Sequence, residues 1–528
     1  VRRDRVRLLG AAALAAVAAL GAVALGSRSL TARADFAFCN QQEIQSLDPA
    51  VTSGVPEARI LTALYEGLVR ADPRTGAPIP GMAESWSVSA DGLTWTFALR
   101  GDSRWTNGDP VTARDFEYSF RRVLDPRTAA PYADSLWCLR GAQAFSAGTG
   151  GAEALGLRAP DDRTLVLELE RPTPQLPALL LLAPLLPVHR GCVETWGREW
   201  IRPEHIVTNG PFRLVERRVR DRLRLARHEG YWGAADVALA TIDAYAADGI
   251  TTQLNMYLTG QVDWMVKPPT SLYDSVLARP DAIRGPQAGA TFLRFNTTRA
   301  PFDDPRVRRA LALALDREAL ARDIMRGGEL PATSFVPAGL GRYVPATLAP
   351  ADADAARALL AQAGYPGGAG FPEFELLYPH NESTRDFCEA VAAQWRDRLG
   401  LRPRLVNQAW KVYLDSTRQL AYDASWGAWT ADYLDATSFL DCFKSGVGNN
   451  RTGWSSARYD ALLVQASGQQ DPLARAALLA QAEAVLLDEL PIAPVYQRIC
   501  LNLVSGRVQG FHDNVLDLHP LRDLSISP

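Results

Sequence analysis

Five large aromatic rings and four carboxylates share the stretch from Tyr422 to Asp441. Tyr422, Trp426, Trp429, Tyr433 and Phe439 are interleaved with Asp423, Asp432, Asp435 and Asp441, and small residues such as Gly427, Ala428, Thr430 and Ala431 fill the gaps. Aromatic walls beside carboxylates suit a cleft that holds a cationic group. A carboxylate withdrawn from water keeps its charge only where a cation or hydrogen-bond donors meet it, so an unfilled site of this kind calls for a ligand. The small residues let another backbone come close, which suits a ligand gripped along its main chain. The competing reading is a buried aromatic strand followed by a turn whose aspartates cap the next helix.

Other chemistries find less support. The six histidines (189, 205, 228, 380, 512 and 519) never fall at H-x-x-x-H spacing, and the six cysteines (39, 138, 192, 388, 442 and 500) form no C-x-x-C pair. No zinc site and no other metal site is expected. A G-x-S-x-G elbow and a phosphate-cradling G-x-x-x-x-G-K are both absent from the sequence. Paired carboxylates such as Asp303 with Asp304, or Asp432 with Asp435, are all that a glycosidase needs, so a carboxylate-dependent hydrolase stays open as an alternative. Asp303-Asp304-Pro305 is better explained as the start of a helix.

At 528 residues the chain exceeds one hydrophobic core, and a prior of about 150 residues per domain suggests about three units. Formal net charge is -3; the first 34 residues hold six arginines and one aspartate, so the remainder carries -8 and nucleic acid is not expected as a partner. Arginines at 2, 3, 5 and 7, the Ala-rich run Leu8 to Leu25 and Ala32-Arg33-Ala34 follow the order of a secretory signal spanning 1–34. An uncleaved membrane anchor is the alternative, weakened by the predominance of alanine. Phe38 is too bulky for Cys39 to be a lipid-modified N-terminus. An exported, periplasmic or extracytoplasmic protein is expected, and in that compartment one or two disulfides among the six cysteines.

The elements that must position the opening stretch alternate between strand and helix. Ile60, Leu61, Leu64 and Leu68 give a helix over 58–69, and residues 93–99 and 164–169 alternate as strands. Thr112 caps a helix through Val123, the run Ala178 to Leu186 reads as a buried helix, and Phe212 onward pairs antiparallel with the strand carrying Leu223 and Leu225. Asp304 and Pro305 open a helix running to Met325, with Val307, Ala310, Leu311, Ala314 and Leu315 on one stripe. Helices over 351–363 and around Phe387, Val391, Trp395 and Leu399 alternate with strands at 374–377, 402–406 and 424–429. A last helix over 473–490 precedes a strand at 495–503. This pattern is α/β.

Eleven of these pieces together resemble the periplasmic oligopeptide-binding proteins of bacterial ABC importers, the peptide family of extracellular solute-binding proteins. They are QSLDPA (45–50), GVPEARI (54–60), YEGLV (65–69), GMAESW (81–86), WTFALR (95–100), WTNGDPVTARDFEYSFRR (105–122), APYADSL (130–136), TNGPFRL (208–214), FNTTRAPFDDPRVRRALALALDR (295–317), NQAWKVYLD (407–415) and WTADYLDATSFL (429–440). The resemblance implies a periplasmic binding protein-like α/β fold, two lobes closing on a cleft by a hinge, with an additional inserted domain. Domain I would comprise 35–65, 205–288 and 499–528, domain II the insert 66–204, and domain III 289–498.

It also implies roles. Asp432 would take a peptide's α-ammonium group, the backbone of Ala428, Trp429 and Thr430 would pair with the peptide main chain, Gly54 and Val55 would lie on the opposite wall, and Tyr132 and Trp410 would line side-chain pockets. Trp426 stands where some members carry an arginine for the C-terminal carboxylate of short peptides, and Thr384 where some carry a histidine. Arg418 is a replacement candidate for that arginine. Thr430 replaces a cysteine of some members, so no disulfide is expected there. The function implied is a non-enzymatic, monomeric receptor that delivers oligopeptides to an inner-membrane ABC permease and needs no cofactor. A receptor for another solute, such as an oligosaccharide or a metal chelate, is the alternative on the same fold.

Overall fold

A computed structural model of the protein describes residues 33–247, 249–380 and 382–527; the expected secretory signal falls, up to residue 32, outside the described residues. One mixed sheet runs through the molecule. Its strand order is Arg404–Gln408, Glu375–Pro379, Ala424–Thr430, Ala282–Phe295, Ile492–Val504, Trp264–Val266, Phe36–Cys39, Thr241–Tyr245, Arg222–Arg227 and Phe212–Arg218, with the short Leu330–Pro331 strand attached beside Ile492–Val504. A second, four-stranded sheet built from Ala83–Val88, Thr94–Leu99, Thr164–Glu168 and Leu157–Arg158 stands apart. The fold is α/β, as expected.

The two central strands, Ala282–Phe295 and Ile492–Val504, are 14 and 13 residues long. They pair antiparallel along most of their length, but the register slips between Pro286 and Ala290. A bulge of this kind bends a strand and increases its local twist. The slip divides the sheet into two halves, each with its own apolar core. Phe36, Phe38, Leu64, Phe212 and Trp264 lie in one; Phe292, Leu311, Trp395, Phe439 and Leu486 lie in the other.

Local signals account for most element boundaries. The Thr112 N–H and hydroxyl donate to the Asp115 carboxylate at 2.8 and 3.0 Å, opening the helix Ala113–Leu124. Asp304 accepts from the Arg306 N–H at 2.8 Å ahead of Pro305–Leu313. Three expectations need correction. The helix expected over 58–69 is Val55–Leu64: Gly54 is its N-cap, Pro56 stands in its first turn, and the Asn209-Gly210 loop ends it by taking the Leu64 carbonyl (2.8 Å) and the Glu66 N–H (3.1 Å). The single helix expected over 304–325 breaks after Leu313. Asp316 caps a new start by accepting from the Ala319 N–H, while the Gln394 side chain, from a distant helix, accepts from the Asp316 N–H at 2.7 Å. The run 178–186 is two short turns, Leu176–Leu179 and Ala183–Leu185, because Pro184 has no N–H to continue a helix.

All six cysteines are buried free thiols, so the expected disulfides do not form. They are buried in separate parts of the fold, and burial pushes the Cys39 thiol up to about 12. Among the described residues no helix is long and apolar enough to cross a membrane.

Candidate ligand-binding cleft

The strand Ala424–Thr430 is the frame of the site. Ser425 and Gly427 are buried while Trp426, Ala428, Trp429 and Thr430 are partly open. One edge pairs with Ala282–Phe295 from Phe295 opposite Ala424 to Gly289 opposite Thr430. The other edge pairs with Glu375–Pro379 only at Ala424 and Ser425, which leaves Trp426 to Thr430 without a strand beside them. Main-chain groups alternate sides with a two-residue period. The Asp423 carbonyl and the Ala431 N–H bond toward the 282–295 strand side, at Asn296 and Ala288. Counting by twos from these, Ala428 and Thr430 present N–H and C=O on the open edge. Trp429 turns its main chain to Ala290 instead and contributes its ring, whose Nε1–H donates to the Ser438 carbonyl at 2.7 Å. Gly427 is required for close approach: a Cβ there would lie 2.6 Å from the Phe292 ring.

A cavity of about 1090 Å³ opens beside this edge, at the top of the roughly 300–1,000 Å³ usual for ligand sites. Asp432, Thr430, Trp429, Ala428, Trp426, Trp410 and Arg418 line it from one side, and Tyr132 and Asp134 from the other. Gly54 and Val55 are not among the lining residues; their neighbour Ser53 is. Gly54 caps its helix, where a Cβ would strike the Glu57 carboxylate, and Val55 is 63% exposed. Thr384 is buried and also absent from the lining.

The four aspartates of the acidic–aromatic stretch separate cleanly. Asp423 accepts from the Glu375 N–H (3.1 Å) and faces Arg299 (3.4 Å), Asp435 pairs with Arg475 (2.7 Å) and accepts from the Thr437 N–H, and Asp441 pairs with Lys444 (2.6 Å). Among the described residues the Asp432 carboxylate has neither a cation nor a donor; only its N–H is engaged, donating to the Ser438 hydroxyl at 2.9 Å. Its surface reaches the water of the cleft, yet protein crowds it, and this desolvation followed by the charge of Asp134 lifts the carboxyl from 3.8 to about 6. Burial, then Asp432 and Asp134, raises the Tyr132 phenol in turn. Asp435 is thus tied into the turn before the helix Thr437–Leu440, whose N-cap is Ala436, and the ligand reading remains for Asp432.

Trp410 is 57% exposed and stacks on Tyr413 at 5.7 Å. Arg418 is exposed and held by Asp415 at 2.7 Å. Among the charged residues not picked out from the sequence, Asp134, Arg451 and Arg498 line the cleft and Arg294 lines a smaller pocket behind it. The Arg498 guanidinium donates to the Thr430 hydroxyl at 3.3 Å from Ile492–Val504, across the intervening strand Ala282–Phe295. Only Arg294 left a trace, as one charged residue inside the apolar strand TFLRF. Among the described residues no group of three or more His, Cys, Asp or Glu side chains is placed to hold a metal ion.

Two half-sheets joined through paired long strands, with an open strand edge and an unpaired carboxylate facing a large cleft, define a two-lobed solute-binding protein. Residues 77–451 match the family described as bacterial extracellular solute-binding proteins, family 5 Middle, and the chain belongs to that family. It is 35% identical over 483 residues to the periplasmic oligopeptide-binding protein OppA of Salmonella typhimurium, the match covering 89% of this chain and 88% of that protein. The unliganded open form of the periplasmic murein tripeptide binding protein MppA is similar in structure with a TM-score of 0.82 at 32% identity, covering 94% of this chain and 98% of that one. Haemophilus influenzae OppA in complex with the peptide RPPGFSPFR gives 0.76 at 32% identity, covering 93% and 98%.

Proposed function

We propose that this chain is the extracytoplasmic receptor of a peptide ABC importer, which binds oligopeptides and presents them to an inner-membrane permease without chemically altering them. The observation that carries this is the unpaired Asp432 carboxylate beyond the end of an open strand edge. A peptide laid along that edge pairs its main chain with Ala428 and Thr430 and brings its α-ammonium group to Asp432. Main-chain pairing supplies affinity whatever the ligand's side chains are. Tyr132, Trp410, Trp426 and Trp429 then bound the side-chain space, and Arg418 lies at its margin. A sugar offers hydroxyl donors but no cation, so the oligosaccharide alternative leaves the charge of Asp432 uncompensated.

Domain I (35–65, 205–288 and 499–528), the insert (66–204) and domain III (289–498) are proposed as the moving parts. The boundaries 288/289 and 498/499 fall inside the two central strands, beside the register slip between Pro286 and Ala290, which supports a hinge there. Export to the periplasm follows from this role.

Mass spectrometry of ligand that co-purifies with the protein, followed by calorimetry with free and N-acetylated peptides, tests the reading. Mixed oligopeptides and a large loss of affinity on acetylation are expected. A co-purifying sugar or metal complex, equal binding of acetylated and free peptides, or turnover of peptides or glycans at a catalytic rate would refute it.

A further inference from the structure

A pocket of about 300 Å³ sits behind the cleft, walled by Phe292, Trp410, Tyr413 and Trp426 and carrying two guanidinium groups, Arg294 and Arg451. Trp410, Trp426 and Arg451 line both this pocket and the main cavity, so the pocket opens into the cleft. Arg294 is 7% exposed. It donates to the Tyr413 hydroxyl (3.0 Å) and the Trp426 carbonyl (3.2 Å), while its Nε–H is buried with no partner. Arg451 is half-buried, and its guanidinium makes one contact, a 3.4 Å bond to the Thr417 hydroxyl. Among the described residues neither arginine forms an ion pair. Two cations brought together in an aromatic pocket, one with an unsatisfied donor, oppose each other until an anion arrives.

We infer that this pocket is a carboxylate subsite, in which Arg294 and Arg451 receive an acidic group carried by the bound ligand. The inference rests on the peptide reading and deepens it. Burial, then the charge of Arg294, then that of Arg418, lowers the affinity of Arg451 for its proton, the sign expected of a cation with no counter-charge. From Thr430 back to Trp426 is four residues, or about 13 Å of strand, so a peptide anchored at Asp432 reaches the pocket about three or four residues along. The acidic group is therefore either a Glu or Asp side chain at that point or the C-terminal carboxylate of a short peptide.

Calorimetry on the full chain separates the two sources. One arm compares alanine-based pentapeptides that carry Glu or Gln at the third or fourth position, all with amidated C-termini. The other compares tri- and tetra-alanine with free and amidated C-termini. A preference for the carboxylate of about tenfold or more is expected in one arm, and that arm names the source. The same ratio measured on Arg451→Gln should fall toward one, and Arg451→Lys should recover part of it. Ratios near one in both arms on the wild-type protein, or a ratio undiminished in Arg451→Gln, would overturn the subsite even where the peptides bind well. If no peptide binds at all, the peptide reading falls and the subsite with it.

Discussion

Peptide affinity should depend on pH through Asp432, and the size of the effect follows from its surroundings. Desolvation and then Asp134 set the free carboxyl near 6, whereas the complex requires it ionised to face an ammonium ion. The ionised fraction in the free protein falls from about nine-tenths at pH 7 to about one-tenth at pH 5, so Kd should rise about tenfold across that interval. The sign is fixed by the order of the two states: binding lowers the carboxyl pKa, so affinity is full above about 6 and is lost as pH falls through it. The ligand's α-ammonium group, with an ordinary pKa of about 7.7–8.0, stays charged throughout and adds no slope of its own. At pH 5 the complex should release close to one proton, measured by calorimetry in buffers of different ionisation enthalpy. Asp432→Asn should weaken binding by about 2–5 kcal/mol, on the order of a hundredfold or more, and flatten the profile. Asp134→Asn should move the midpoint below 6 by removing a like charge. An unchanged Kd between pH 7 and 5, or an equal change for an N-acetylated peptide, would refute the pairing.

Three further outcomes are expected. Asp435→Ala breaks the partly buried pair with Arg475 and should lower unfolding stability by about 1–3 kcal/mol in a urea titration, whereas Asp432→Asn at pH 7 should not lower it, because the fold disfavours that charge. Gly427→Ala drives a methyl group into the Phe292 ring and should cost about 1–3 kcal/mol by the same titration, together with weaker peptide binding. Tripeptides that vary only among neutral middle residues should differ modestly in Kd by calorimetry, since water fills the unused space around them; one residue bound with all others undetectable would contradict main-chain recognition.

Much of this molecule was legible in one dimension. The Thr112 cap, the Asp304-Pro305 helix start and the strand read over 424–429 are written in neighbouring residues, because caps, turns and alternation are local physics. The acidic–aromatic stretch likewise announced a site, and eleven ordered pieces announced a family. The chemistry of the stretch alone did not tell which of its four aspartates is free; only the resemblance pointed to Asp432. Arg299, Arg475 and Lys444 neutralise the other three, and two of those cations come from far along the chain. The helix break at residues 314–316 also depends on a distant side chain, Gln394. The register slip between Pro286 and Ala290, the open strand edge, and the meeting of Arg294 with Arg451 across 157 residues of sequence belong to the same category. Each is a relation between segments that only the folded sheet brings together, and whether a charge is paired, an edge covered or a pocket closed depends on neighbours in space.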